Sequence, residues 1–153
     1  MKPISRWACV ALIVVAGTVG CGGGGTSAGS VGPLAGQYIG DIFGTGASTD
    51  YSQVNLAISN TGAISGSVQP MFGPYSGMSV GVTGTITSSG ALLIKSNSPN
   101  VSLTVTGVVS FGPYSGGEWN FTGLTGSGSQ SVGSSQEAVT ILFPNTAYGE
   151  SGA

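Results

Sequence analysis

Met78-Ser79-Val80-Gly81-Val82-Thr83-Gly84-Thr85-Ile86-Thr87 decides the architecture. Met78, Val80, Val82 and Ile86 alternate with Ser79, Gly81, Thr83, Thr85 and Thr87, so one face of an extended chain is apolar and the other small and hydroxylated. A period of two is the pattern of a β-strand with one dry face. Gly84 falls on the dry face between Val82 and Ile86, and a missing side chain there lets a sheet bend sharply towards that face.

The same pattern recurs on either side. Val54, Leu56 and Ile58 alternate with polar or small residues, as do Val101, Leu103, Val105, Val109 and Phe111. Apolar, hydroxyl, glycine also repeats in Ile64-Ser65-Gly66-Ser67-Val68, Val105-Thr106-Gly107-Val108-Val109 and Phe121-Thr122-Gly123-Leu124-Thr125. No window has a helical period. Eight strands are predicted, near 35–44, 51–59, 63–69, 78–87, 91–96, 101–111, 117–125 and 136–143. Turn chemistry separates them at Asn60-Thr61-Gly62, Ser88-Ser89-Gly90, Asn97-Ser98-Pro99-Asn100 and Gly126-Ser127-Gly128-Ser129.

Short connections favour a meander, and inward glycines favour closure. The expected fold is all-β, a small eight-stranded up-and-down barrel over 34–145, with a β-sandwich as the alternative. Scarce charge agrees with closure, because open sheets usually guard their edges with lysine and other charges. A barrel spanning a membrane would put its apolar face outward, in strands of 9 to 11 residues between aromatic girdles. Several predicted strands are shorter, and aromatic residues make up only 8% of the chain.

Leu34-Ala35-Gly36-Gln37-Tyr38 and the hydroxyl-glycine motifs resemble the lipocalin and avidin class of eight-stranded barrels. Those families often carry Gly-x-Trp at the first strand, where this chain has Tyr38. Of the indoles that line an avidin-type pocket only Trp119 is present, so the resemblance implies the barrel and no ligand.

The first twenty residues have the build of a secretory signal. Lys2 and Arg6 give a cationic start, Ala8 to Ala16 an apolar run too short to span a bilayer, and Gly17 to Gly20 a small-residue approach. Thr18-Val19-Gly20-Cys21 resembles the lipobox of bacterial lipoproteins, with Thr18 where leucine is commonest. The resemblance implies cleavage before Cys21 and lipidation of its thiol, hence a membrane anchor of two or more acyl chains. Residues 1–20 are then a signal peptide. The Gly-rich stretch 21–33 is a flexible tether with a root-mean-square span of roughly 20 Å, and 146–153 a disordered tail. Gly22 instead of aspartate after the cysteine implies, by that family's sorting tendency, the outer membrane in a two-membrane bacterium.

Charge excludes several functions. Beyond Cys21, Lys95 is the only basic side chain, against Asp41, Asp50, Glu118, Glu137 and Glu150, and the chain has no histidine. Nucleic acid requires several phosphate-neutralising cations, so no nucleic-acid partner is expected. Without histidine there is no Ser-His or Cys-His nucleophile and no imidazole acid or base. Lys95 ends a short strand, where a solvated lysine is the usual finding, and the five acids stand singly. No enzyme, metal site or cofactor is expected.

Phe72-Gly73-Pro74-Tyr75-Ser76-Gly77 recurs exactly as Phe111-Gly112-Pro113-Tyr114-Ser115-Gly116. Both copies read as hairpin turns, with Tyr75 and Tyr114 as possible aromatic contacts at opposite ends of a meander barrel. Two functional classes remain. One is a membrane-anchored envelope interaction module whose partner is a protein or a polysaccharide. The other binds a small apolar ligand in the barrel mouth, lined by Tyr38, Trp119 and Phe121. Large inward side chains filling the barrel favour the first; an open apolar cup favours the second.

Overall fold

A computed structural model describes residues 29–46, 50–117 and 119–148. Its eight strands are β1 (Gly36–Gly44), β2 (Tyr51–Ile58), β3 (Ala63–Pro70), β4 (Val80–Ile86), β5 (Ala91–Ser96), β6 (Leu103–Gly116), β7 (Trp119–Val132) and β8 (Ser135–Pro144). Each pairs antiparallel with the next, and β8 returns to β1, so the expected up-and-down barrel is the fold and the sandwich is not.

Register explains the shape. Paired residues run round the barrel as Gly36, Ile58, Ile64, Gly84, Ile94, Val105, Gln130 and Glu137. Carrying the β8–β1 pairing two residues past Gly44–Val139 closes this ring at Gly46, a stagger of ten residues from Gly36. Such a stagger over eight strands tilts them by about 40°. Strongly coiled strands approach closely on the inside. A Cβ on Gly84 would run into the Leu93 carbonyl, and one on Gly107 would lie 2.7 Å from the Ser127 carbonyl and 2.9 Å from Ile141. Gly66, at φ +152°, has both the conformation and the close neighbour that exclude other residues.

The dry face is the inner one. Tyr38, Ile42, Leu56, Val68, Ile94, Val105, Ile141 and Phe143 are among the side chains that fill the barrel. The outer face carries Gln53, Asn55, Ser65, Thr83 and Lys95, the reverse of a lipid-facing barrel.

Three expectations fail in one region. Gly126-Ser127-Gly128-Ser129 lies inside β7 and makes no turn, because Gly126 and Gly128 are inward glycines facing the β6 backbone where a Cβ has no room. The second hexapeptide copy is likewise strand, within β6. Beyond Val108 this strand has no β5 partner, so Pro113 sits at an edge, where a missing N–H is tolerated. Gly123, expected to be inward with Phe121, faces outward, since Leu124 occupies the core. Nothing but Gly117 and the adjoining position 118 separates β6 from β7, and the two strands pair from Leu103–Val132 up to Gly116–Trp119. β8 pairs with β7 only as far as Gly123, so the rest of this hairpin forms a two-stranded arm.

The arm folds back over the outside of the barrel. Trp119 at its end meets Phe43 of β1, ring centroids 6.3 Å apart and edge-on. Phe121 and the outward Leu142 of β8 are 4% and 6% exposed, yet neither belongs to the barrel core. The opposed pair Gly112–Gly123 marks the root of the arm. A Cβ on Gly123 would lie 2.9 Å from Asn145 N and Pro144 Cα, so glycine lets the end of β8 cross there.

Both flanking segments also differ from expectation. Val31 is buried and its N–H bonds the Asn60 carbonyl at 3.0 Å, so residues 31–33 of the expected tether are docked on the barrel. At the other terminus Thr146 N–H bonds the Gln37 carbonyl at 3.0 Å and Tyr148 packs on Phe111 at 5.8 Å, so 146–148 is docked and not a loose tail. In each case a backbone hydrogen bond to the barrel is joined by a side-chain contact, Val31 in the core and Tyr148 against Phe111.

Interior glycines separate from exterior ones in stability. Gly84→Val and Gly107→Val are expected to cost about 1 to 3 kcal/mol or more through overpacking. Gly81→Val, on the outer face beside the movable Asn97 side chain, should cost a fraction of that. Urea midpoints at constant slope measure the difference, and equal shifts at all three sites would reject the role given to the inward glycines.

Candidate functional site

The residues singled out from sequence fall in three separate places. Tyr38 is wholly buried inside the barrel, and its hydroxyl donates to the Leu34 carbonyl at 3.0 Å. Burial raises its pKa. It belongs to a plug: the 3-10 turn Gly32–Leu34 follows Val31, and Val31 and Leu34 both join the core. Proline at the start of that turn presets its φ, and the turn fills this mouth except for a recess of about 220 Å³ between Val31, Leu34, Ser88–Gly90 and Phe111.

Tyr75 closes the opposite end. The first hexapeptide copy forms a 3-10 turn, Gly73–Tyr75, in the β3–β4 connection, with Gly73 near Val132 and Pro74 beside Gly133. The Ser102 N–H donates to the Tyr75 hydroxyl at 3.1 Å, and Phe72 and Tyr75 pack on the core. This copy is a turn as expected, and it serves as a lid. Tyr114 and Phe121 are paired on the arm, ring centroids 5.1 Å apart, with Trp119 two residues beyond Phe121. Neither Phe121 nor Trp119 lines the barrel interior. Cys21 lies outside the described residues.

What sequence reasoning missed is on the outer face of β1 to β3. A groove of about 310 Å³ is lined there by Asp41, Gln53, Asn55, Ser67, Gln69 and the exposed Ile39, among others. Register sets these side chains in two parallel rows: Asp41–Gln53–Gln69, and Ile39–Asn55–Ser67. The next pair on the same face is Phe43–Tyr51, stacked at 6.4 Å and extended by Trp119 from the arm. Gln69 is held by its Nε2 donating to the Gly77 carbonyl at 3.0 Å, which leaves its Oε1 turned elsewhere. Burial raises the Asp41 pKa above its ordinary value. The available signal was the placing of amides at outward positions of two adjoining strands, Gln53 and Asn55 on β2 and Gln69 on β3.

A second polar group lies inside, near the lid end. Gln130 is 1% exposed and donates from Nε2 to Ser52 Oγ at 2.6 Å. Its Oε1 and the Oε1 of Glu137 are buried without hydrogen-bond partners among the described residues. The two residues oppose each other across β7 and β8, a placement that sets their Cβ atoms about 5 Å apart. Two acceptors there repel when Glu137 is ionised. Lys95 projects outward from β5 between Thr83 and Thr104. Among the described residues no three metal-ligating side chains cluster. Comparison with protein-family models, curated proteins and solved structures finds no match to this chain.

Burial, and secondly the charge of Asp50, push the Glu137 carboxyl above its usual value. A folded pKa above the unfolded one means that the native state holds the proton more tightly. Its contribution is full below the unfolded value near 4.5 and is lost as pH rises through the raised folded value. Urea midpoints should therefore fall as pH climbs from about 4 to 7. Glu137→Gln should reduce this slope and, by offering an N–H to Gln130 Oε1, stabilise the neutral-pH protein by about 1 kcal/mol. An unchanged slope in the variant would remove Glu137 as its source.

Proposed function

We propose that the chain is a lipid-anchored protein of the bacterial cell envelope, held through Cys21, whose barrel is a non-enzymatic interaction module working through its outer surface. One observation carries this reading: the interior is filled with side chains and a turn packs over each end, while the more voluminous of the recesses described, a polar one, lies on the outer face. A binder of small apolar ligands in the mouth needs the cavity that Val31, Leu34 and Tyr38 occupy.

The anchor rests on the Thr18 to Cys21 motif and the cationic, apolar segment before it. Gly22 after the cysteine supports outer-membrane placement. The plug supports an orientation, since the chain from the anchor reaches the barrel at the β2–β3 end, beside Asn60. The sides and the lid end then remain available to a partner. Non-enzymatic action is supported by the absence of histidine.

Cys21→Ser is expected to abolish incorporation of labelled fatty acid and to leave the protein unprocessed or soluble in the periplasm. Membrane partitioning equal to that of the parent would reject the anchor. For the parent, density fractionation should place the protein in outer-membrane fractions, and recovery in the inner membrane would reject the sorting.

A further inference from the structure

We infer that the outer groove of β1 to β3, together with the adjoining Phe43–Tyr51–Trp119 row, is a binding site for an uncharged polysaccharide. The inference rests on the interaction-module reading and names its partner class. Sugars present two chemistries at once, a rim of hydroxyls that both donate and accept, and a ring face of C–H groups that packs on flat or apolar surfaces. The site offers both in adjacent rows.

In the groove, Gln53, Asn55 and Gln69 carry amides, each able to accept and to donate, with one Gln69 N–H already given to the Gly77 carbonyl. Asp41 adds a carboxyl and Ser67 a hydroxyl, while Ile39 gives an apolar patch among them. About 7 Å along the strands, two residues away, stands Phe43–Tyr51. Trp119, edge-on to Phe43 and partly exposed, keeps ring surface that Phe43 does not cover. A recess of about 310 Å³ lies at the small end of ligand sites. It suits a short stretch of a longer chain that continues over the aromatic row.

Charge selects among partners. No basic side chain lines the groove, so phosphorylated or acidic polymers find no counter-charge there. A protein partner generally needs about 800 Å² per side built around a desolvated apolar or arginine-rich centre. Here the centre is amide and hydroxyl, and the aromatic residues stand at one edge.

The test uses the full lipidated chain in a detergent that is not a glycoside, with cellotetraose and chitotetraose as probes and isothermal titration with Trp fluorescence as readouts. Binding should change Trp119 emission, since Trp7 lies in the segment expected to be cleaved. The outward double variant Gln53→Ala/Asn55→Ala should weaken binding at least tenfold with an unchanged urea midpoint. Ser65→Ala/Thr104→Ala, also outward but away from the groove, should bind as the parent does. Absence of binding to both probes and to purified neutral envelope polysaccharide overturns the inference, as does binding that the groove variant leaves intact. Photo-crosslinking from position 55 in living cells separates the two levels of the argument. A captured protein overturns the glycan while the interaction-module reading stands; no adduct there or elsewhere on the barrel defeats both.

Discussion

An eight-stranded sheet closed on itself has an interior of nearly fixed width, and everything else in this molecule follows from filling that width without clashes. Strands tilted by a ten-residue stagger cross close to one another on the inside, and inward glycines occupy the tightest crossings. Valine, leucine and isoleucine take most of the remaining inward positions, beside Tyr38, Phe143 and the Gln130–Ser52 pair, and burial of apolar area is the main stabilising term. With the interior used in this way, recognition is left to the outer face and to the arm.

That constraint also explains what was legible in the sequence. A period of two with glycine on the apolar face gives strand number, meander order and the sense of curvature, because each is a local property of the pattern. Gly126 and Gly128 defeat the same reading, since Gly-Ser-Gly-Ser has one composition whether it forms a turn or the inner face of a coiled strand. Only the backbone of β6 at Val108 and Thr106 distinguishes the two. The docking of Val31 and Tyr148 is equally non-local, resting on surfaces formed by residues far along the chain.

The repeated hexapeptide makes the point most directly. As Phe72 to Gly77 it turns tightly and caps the barrel; as Phe111 to Gly116 it is extended and pairs residue by residue with β7. Proline is compatible with both, being preset for the turn and tolerated at an edge. The candidate site was the least legible part. Alternation assigned Gln53, Asn55 and Gln69 to the wet face, but their convergence depends on the β1–β2 and β2–β3 registers, which no single strand encodes.

The closing seam has a further consequence. β1 and β8 pair over only Asp41–Leu142 to Gly44–Val139, with Tyr38–Asn145 as an isolated bridge beyond. This short ladder joins the first strand to the last, so the loop-closure entropy it must overcome is the largest in the chain, whereas every other ladder joins neighbours across a short connection. Closing this seam is therefore the pairing with the greatest entropic cost in the barrel. The same seam brings the two termini of the domain together at Gln37 and Thr146, so a linker between them with new ends opened in the β4–β5 turn would preserve every ladder while making β1–β8 a local hairpin.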